Sequence, residues 1–218
     1  MPVFAPSSIQ EAWDLVFHAF DVTDKYRTPV MILAEGILGQ MMEPLEMRTT
    51  SPFIADKSWC ADGNANRPER NKISSINLDP VALDQMNRDR FALYDQIKKN
   101  EVMVENGVKD GDTVAIVAYG TPSRIALNAI EELAADGIKA GLIRPITLWP
   151  FPCDVFQNLP PSVKHILVVE LSMGQMIEDV RLSVAGKYPV HFYGRCGGLI
   201  FEPSEIAGNV REIIKGAH

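Results

Sequence analysis

The stretch Asp110-Gly111-Asp112-Thr113-Val114-Ala115-Ile116-Val117-Ala118-Tyr119-Gly120-Thr121-Pro122 decides the fold. It reads as a turn, a strand that is apolar at nearly every position, and the start of a helix. A strand without polar alternation is buried on both faces, as in parallel sheets covered by helices. Proline in the first helical turn costs nothing, because its missing N–H would have no partner there. Ile125, Ala129, Ile130 and Leu133 follow at helical spacing, and Gly137 ends the helix.

The same unit recurs downstream. Ala140 to Ile143, Ile166 to Leu171 and Val190 to Tyr193 read as further strands. Ser172 starts a helix with Met176, Ile177, Val180 and Val184 inward, closed by Gly186. Ser204 opens a last helix with Ile206, Val210, Ile213 and Ile214 on one face. Residues 109–218 are therefore expected to form an α/β domain: a parallel sheet, right-handed crossovers, helices on both faces.

Upstream the chain changes character. In residues 1–48, Ser8-Ile9-Gln10-Glu11 reads as a capping box. Ile9, Trp13, Val16, Phe17 and Phe20 then form an apolar helical stripe. Pro29 blocks the helix from resuming, and Val30 to Ala34 read as a short, fully buried strand. One helix and one strand cannot close a core, so this unit must pack on the rest of the chain or on a partner, with Trp13 on the candidate partner face. Residues 49–108 read as a long surface linker. Residues 51–80 have loop composition, and Leu83, Met86, Arg90, Leu93 and Ile97 mark a helix.

Composition excludes several function classes. The 218 residues are 46% hydrophobic and 22% charged, which rules out wholesale disorder. Net charge is −7, split as −5 over residues 1–108 and −2 over 109–218, so nucleic acid has no electrostatic footprint. No apolar run approaches the roughly 18–20 residues of a membrane span, and Met1 to Pro6 do not resemble a signal peptide. Cys60, Cys153 and Cys196 are scattered without a Cys-x-x-Cys, which supports neither an iron–sulfur cluster nor a zinc site and fits a reducing cytoplasm.

Ligands of open α/β sheets bind beyond the carboxyl ends of the strands. Four loops sit there: Gly120 to Ser123, Arg144 to Cys153, Ser172 to Gln175, and Gly194 to Pro203. The helix start at Thr121 reads either as an anion seat or as a plain cap, and it lacks a Gly-x-Gly-x-x-Gly spacing. Arg144-Pro-Ile-Thr-Leu-Trp149-Pro-Phe-Pro152 is stiff and aromatic, either a core wall or a subunit interface. Glu170 ends a strand, with Ser172 and Gln175 as a second capping box; Glu35, Gln40 and Glu43 echo that pattern. The paired carboxylates suggest acid–base chemistry or an interface role. Arg195, in Gly194-Arg-Cys-Gly-Gly198, reads as a phosphate or carboxylate ligand or as part of a turn. Arg67, Arg70 and Lys72 read as an anion patch or as solvated loop charges. His18, His165, His191 and His218 show no ligand spacing, His18 reading as a packed or interfacial histidine. By motif, the chain holds no complete active site and no metal site.

Several strings resemble one family. Pro29-Val-Met-Ile-Leu-Ala-Glu35-Gly36 with Gly39-Gln-Met-Met-Glu-Pro44, Trp59-Cys60 with Gly63-Asn64 and Asn66-Arg-Pro68, and Tyr119-Gly-Thr121 look like the alpha subunit of 2-oxoacid:ferredoxin oxidoreductases. So do Gly141 to Pro152, Val168-Val-Glu170, Met173-Gly-Gln-Met176 with Glu178-Asp-Val-Arg181, and Phe192-Tyr-Gly-Arg195 with Gly197-Gly198. The branched-chain (2-oxoisovalerate) type is the nearest in flavour, followed by the 2-oxoglutarate and pyruvate types. The resemblance implies oxidative decarboxylation of a 2-oxo acid to acyl-coenzyme A, with electrons passing to ferredoxin. It implies thiamine diphosphate, magnesium, iron–sulfur clusters and coenzyme A in the complex, none held by this chain alone. It implies as partners a thiamine pyrophosphate-binding beta subunit, a gamma subunit, a ferredoxin-like delta subunit and the rest of a pyrimidine-binding domain. Residues 109–218 would resemble the C-terminal domain of transketolase, residues 49–108 a linker, and residues 1–48 the trailing αβ unit of the pyrimidine-binding domain. The family's aminopyrimidine glutamate lies in a region outside this sequence, so no catalytic residue carries over. Interface roles then fall to Trp13, Gln40, Glu43, Arg144 and Trp149. Two rivals are a stand-alone α/β module binding an anion such as coenzyme A through Arg67, Arg70 and Arg195, and a member of another thiamine enzyme class.

Overall fold

The computed structural model describes residues 1–47, 56–63 and 67–216. Asn64, Asn66 and His218, and part of the loop read over residues 51–80, lie outside them. The larger sheet has five strands: β3 (Val104–Asn106), β4 (Val114–Val117), β5 (Ala140–Pro145), β7 (His165–Glu170) and β8 (Val190–Gly194). Their order is β3-β5-β4-β7-β8, with β4, β5, β7 and β8 parallel and β3 antiparallel along β5. Every residue of β4 is fully buried, as its apolar sequence dictates. One face carries α3 (Thr121–Ala135) and α6 (Pro203–Ile214), packed over Ile116, Leu167 and Val169. The other carries α4 (Cys153–Gln157) and α5 (Met176–Val184) over Val117, Ile143 and Val168. The parallel sheet covered on both faces is as expected. It also reaches back to Val104, within the stretch read as a linker.

A second, small sheet joins the first residues of the sequence to the segment that follows β5. Here β1 (Val3–Phe4) lies between β2 (Met31–Ile32), parallel to it, and β6 (Thr147–Trp149), antiparallel. Above it, α1 (Ile9–Tyr26) and the end of α2 (Pro80–Asn100) close a third core of Phe4, Leu15, Val22, Tyr26, Ile97 and Ile146. The unit therefore packs on the rest of the chain. Only Ile97 of α2 is fully buried, so the helix lies along the surface, fixed at its C-terminal end.

Several local expectations are corrected. The strand read as buried over Val30 to Ala34 shortens to two residues, and Met31 and Leu33 are each 41% exposed, because β2 has a neighbour on one side only. In α1 the inward face is Leu15, Val22 and Tyr26, while Val16 and Phe20 of the expected stripe are 44% and 69% exposed. The Ser8 hydroxyl does accept from the Glu11 N–H, but the Glu11 carboxylate turns to Ser7 and Arg144. The last helix is opened by Glu202, in a reciprocal cap with Glu205, and not by Ser204; Ile214 faces solvent. Among the described residues no helix is long and apolar enough to cross a membrane.

Candidate functional site

The carboxyl ends of β4, β7 and β8 face a strap, residues 33–46, that runs from β2 across the start of α3. Two carboxylates organise this end. Glu35 accepts the backbone N–H of Thr121, the first residue of α3, in a very short contact. Gly120 makes this possible. Its φ of +61° and ψ of −146° suit glycine alone, and a Cβ there would stand 2.5 Å from Glu35 Oε2. Glu170, 1% exposed, accepts from Ser172 Oγ (2.9 Å) and from the N–H groups of Gln175 (3.1 Å), Met176 and Ile177 (3.0 Å each). Each carboxylate thus satisfies a helix start, where unpaired donors and the dipole favour an anion. Between them stands Tyr119, whose phenol is held protonated above its usual range by burial and then by Glu170 and Glu35.

These groups line a pocket of ≈ 210 Å³, walled by Leu33, Ala34, Pro122 and Leu171 and reaching Ser172 and Gln175. A neighbouring hollow of ≈ 380 Å³ shares Glu35 and Leu171 and continues past Gln40 to Cys196 and Leu199. The rim is apolar: Met173 is 77% exposed and Leu199 62%.

The expected site residues fall as follows. Thr121 is 8% exposed, its N–H committed to Glu35 and its hydroxyl without a partner. Ser172 does not cap α5 directly; it donates to Glu170, which makes the cap, and Gln175 precedes the helix. Arg195 pairs with Glu205 and donates to Tyr193 Oη at 3.4 Å. Arg67 pairs with Asp62 and donates to the Ser58 carbonyl at 2.9 Å. Arg70 is exposed in the loop, remote in sequence from the strand ends. Two of the three cations that an anionic ligand would need are already neutralised.

Among the expected interface residues, Arg144 is 5% exposed and committed within the chain. It forks onto both oxygens of Glu11 (2.9 Å each) and onto Glu105 (2.9 and 2.6 Å), tying α1 to β5 and β3. Burial opposes its charge, but the hydrogen bonds it donates to Glu105 and Glu11 win and raise its pKa further. Glu43 accepts the Ile9 N–H at 2.9 Å and pairs with Arg124 at 2.6 Å, which lowers its pKa. Gln40 is exposed on the strap. Trp149 is half-buried, edge-on to Tyr94 at 5.7 Å, and Trp13 lies 5.7 Å from Phe17 on the half-open face of α1.

Thiamine diphosphate with magnesium does not fit these strand ends, because both helix starts that could take a diphosphate already hold a carboxylate. Among the described residues no three His, Cys, Asp or Glu side chains converge to hold a metal ion, and the three cysteines are separate thiols. Sequence reasoning found both strand-end carboxylates but missed their role. It also missed the Glu11–Arg144–Glu105 clamp, whose partners are over a hundred residues apart at the extremes. Glu101, which accepts from Tyr26 Oη (2.6 Å) and Lys25 Nζ (2.8 Å) with His18 at 3.6 Å, was invisible for the same reason.

Comparison with known proteins gives a consistent picture. Residues 1–106 match the family model described as pyruvate flavodoxin/ferredoxin oxidoreductase, thiamine diphosphate-binding, and residues 113–206 match pyruvate:ferredoxin oxidoreductase core domain II. A ketoisovalerate oxidoreductase subunit VorB from Methanothermobacter thermautotrophicus is 40% identical over 212 residues, covering 97% of this chain and 60% of that one. A 2-oxoglutarate synthase subunit KorA from Methanothermobacter marburgensis is 30% identical, covering 94% and 62%. The chain thus spans about 60% of the length of these relatives. In fold it is similar to a 2-oxoglutarate:ferredoxin oxidoreductase from Magnetococcus marinus, solved with 2-oxoglutarate, coenzyme A and succinyl-CoA bound (TM-score 0.74, 21% identity, 97% of this chain and 42% of that one). A split-gene transketolase shares the fold at TM-score 0.55 and 17% identity, covering 97% of this chain and 56% of that one.

Proposed function

We propose, because the chain belongs to the 2-oxoacid:ferredoxin oxidoreductase family, that it is part of an alpha-type subunit which assembles and shapes the active site and leaves the catalytic groups to other chain segments. The reaction served is oxidative decarboxylation of a 2-oxo acid to an acyl-coenzyme A, with electrons leaving to ferredoxin. A branched-chain 2-oxo acid is the favoured substrate class, because the ketoisovalerate relative is more similar than the 2-oxoglutarate one. Thiamine diphosphate, magnesium, the iron–sulfur clusters and coenzyme A then belong to the assembled complex. Its other parts are a thiamine pyrophosphate-binding beta subunit, gamma and ferredoxin-like delta subunits, and a fuller pyrimidine-binding domain to which residues 1–48 contribute.

The observation that carries this reading is the occupation of the strand ends. Glu35 and Glu170 fill the helix starts where an α/β enzyme of this type would seat a phosphate, so this edge acts as a shaped wall. The three cysteines as free thiols accord with a cytoplasmic location.

The test is a native pull-down of the tagged chain from its host, with mass spectrometry of what co-purifies. Recovery of thiamine- and cluster-bearing subunits is expected. Recovery of the chain alone, at monomer or homodimer mass, overturns the assembly role. Coenzyme A titrated into the chain should produce no binding heat, whereas a saturable isotherm would favour a free-standing anion-binding module.

A further inference from the structure

Among the described residues, several carboxylates drawn into the fold are matched by a cation. Glu11 has Arg144, Glu43 has Arg124, Glu101 has Lys25 and Glu205 has Arg195. Glu35 and Glu170 are not so matched; Asp112 shares this trait but stands alone before β4, whereas these two share one pocket. Neither has an ion pair, although Glu170 is 1% exposed and both border the same pocket. Hydrogen bonds from backbone N–H groups satisfy their lone pairs but bring no full positive charge. The negative potential registers on neighbours: Tyr119 keeps its proton more tightly through burial and then through both carboxylates, and Asp179 is raised by burial, Glu178 and Glu170. At the same helix start the Thr121 hydroxyl, on a residue 8% exposed, has no hydrogen-bond partner. The backbone N–H of that same residue is the one that Glu35 accepts. The pocket of ≈ 210 Å³ has room for one long side chain, and its apolar walls suit an alkyl stem.

We propose that this pocket receives a lysine or arginine side chain from another subunit, its charged head between Glu35 and Glu170 and its stem against Leu33 and Leu171. This rests on the assembly role above and names the chemistry of the contact. Exposed Met173 and Leu199 beside the pocket give the incoming segment an apolar surface to lie on. A divalent ion is the competing occupant; two carboxylates already bonded to helix starts offer it few free oxygens.

The test measures the Kd between the tagged chain and the remaining subunits across a salt series. Glu35→Gln keeps an oxygen to accept the Thr121 N–H but removes the charge. The expected result is about tenfold weaker assembly at low salt and a shallower salt dependence. Ala34→Lys, which places an ammonium at the pocket wall, should raise the melting temperature of the isolated chain while weakening assembly, as a tethered competitor. Wild-type assembly with unchanged Kd and salt slope in both variants overturns the basic-side-chain contact and leaves the assembly role standing. Absence of assembly by the wild-type chain removes both. Calcium or magnesium restoring or blocking assembly in a Glu35-dependent way would assign the pocket to a divalent ion instead.

Discussion

A methyl group at residue 120 would meet Glu35 Oε2 at 2.5 Å, and the backbone there sits where only glycine is relaxed. Gly120→Ala is therefore expected to cost about 1–3 kcal/mol in urea denaturation, from backbone strain plus displacement of the Glu35 cap. In a Glu35→Ala background the cost should shrink to the backbone part, roughly 1 kcal/mol. Additive costs would mean that the close approach contributes nothing. Arg144 offers a second case. Lysine keeps the charge but cannot fork onto Glu11 and Glu105, so Arg144→Lys should lose about 1–2 kcal/mol and Arg144→Met about 2–4 kcal/mol. That range sits below the about 3–5 kcal/mol of a wholly buried pair, because Glu105 is 64% exposed and can return to water. Both residues were visible in the sequence, Gly120 at a helix start and Arg144 as the first residue of a stiff, aromatic segment read as a core wall or an interface. Their partners were not, since nothing local says that Glu35 or Glu11 lies opposite.

At the scale of elements, α2 is the least secured helix. It holds to the third core by Leu93, Tyr94 and Ile97 near its end, and to α1 through Glu101 just beyond. Hydrogen exchange should run fast over residues 80–89 and slow over residues 93–100. Ile97→Ala, at a cost of about 2–4 kcal/mol, should equalise the two halves. Glu101 also gives this attachment a pH dependence. Burial pushes its pKa up, but the hydrogen bonds from Lys25 and Tyr26 outweigh that and hold it below the ordinary 4.5. The folded state then binds the proton less readily than the unfolded chain. Its contribution is present above pH 4.5 and disappears as pH falls through the lower folded value. Glu101→Gln should flatten this acid limb of the stability curve, measured by thermal melts between pH 3 and 6. The α/β alternation behind these elements was legible because apolar strands and capped helices write themselves locally. The two-residue strand β1, the short length of β2, the edge strand β3 and the inward face of α1 were not, because each depends on a neighbour distant in sequence.

At the scale of the whole molecule, the half-open face of α1 with Val16 and Phe20 and the apolar strand-end rim are two of the exposed apolar surfaces open to partners. Hydroxyl-radical footprinting should find Trp13, Phe17 and Phe20 oxidised in the isolated chain and shielded in the complex. Equal labelling in both states would count against that face as an interface. The central place of β1 has a consequence for biosynthesis. Val3 and Phe4 gain their second strand neighbour only when Thr147–Trp149 arrive. At a ribosomal pace of 5–20 residues per second, one edge of β1 stays open for roughly 10–30 s after its own synthesis. Nascent chains arrested before residue 147 should therefore engage a ribosome-associated chaperone through this strand, and those arrested after the exit of residue 149 should release it.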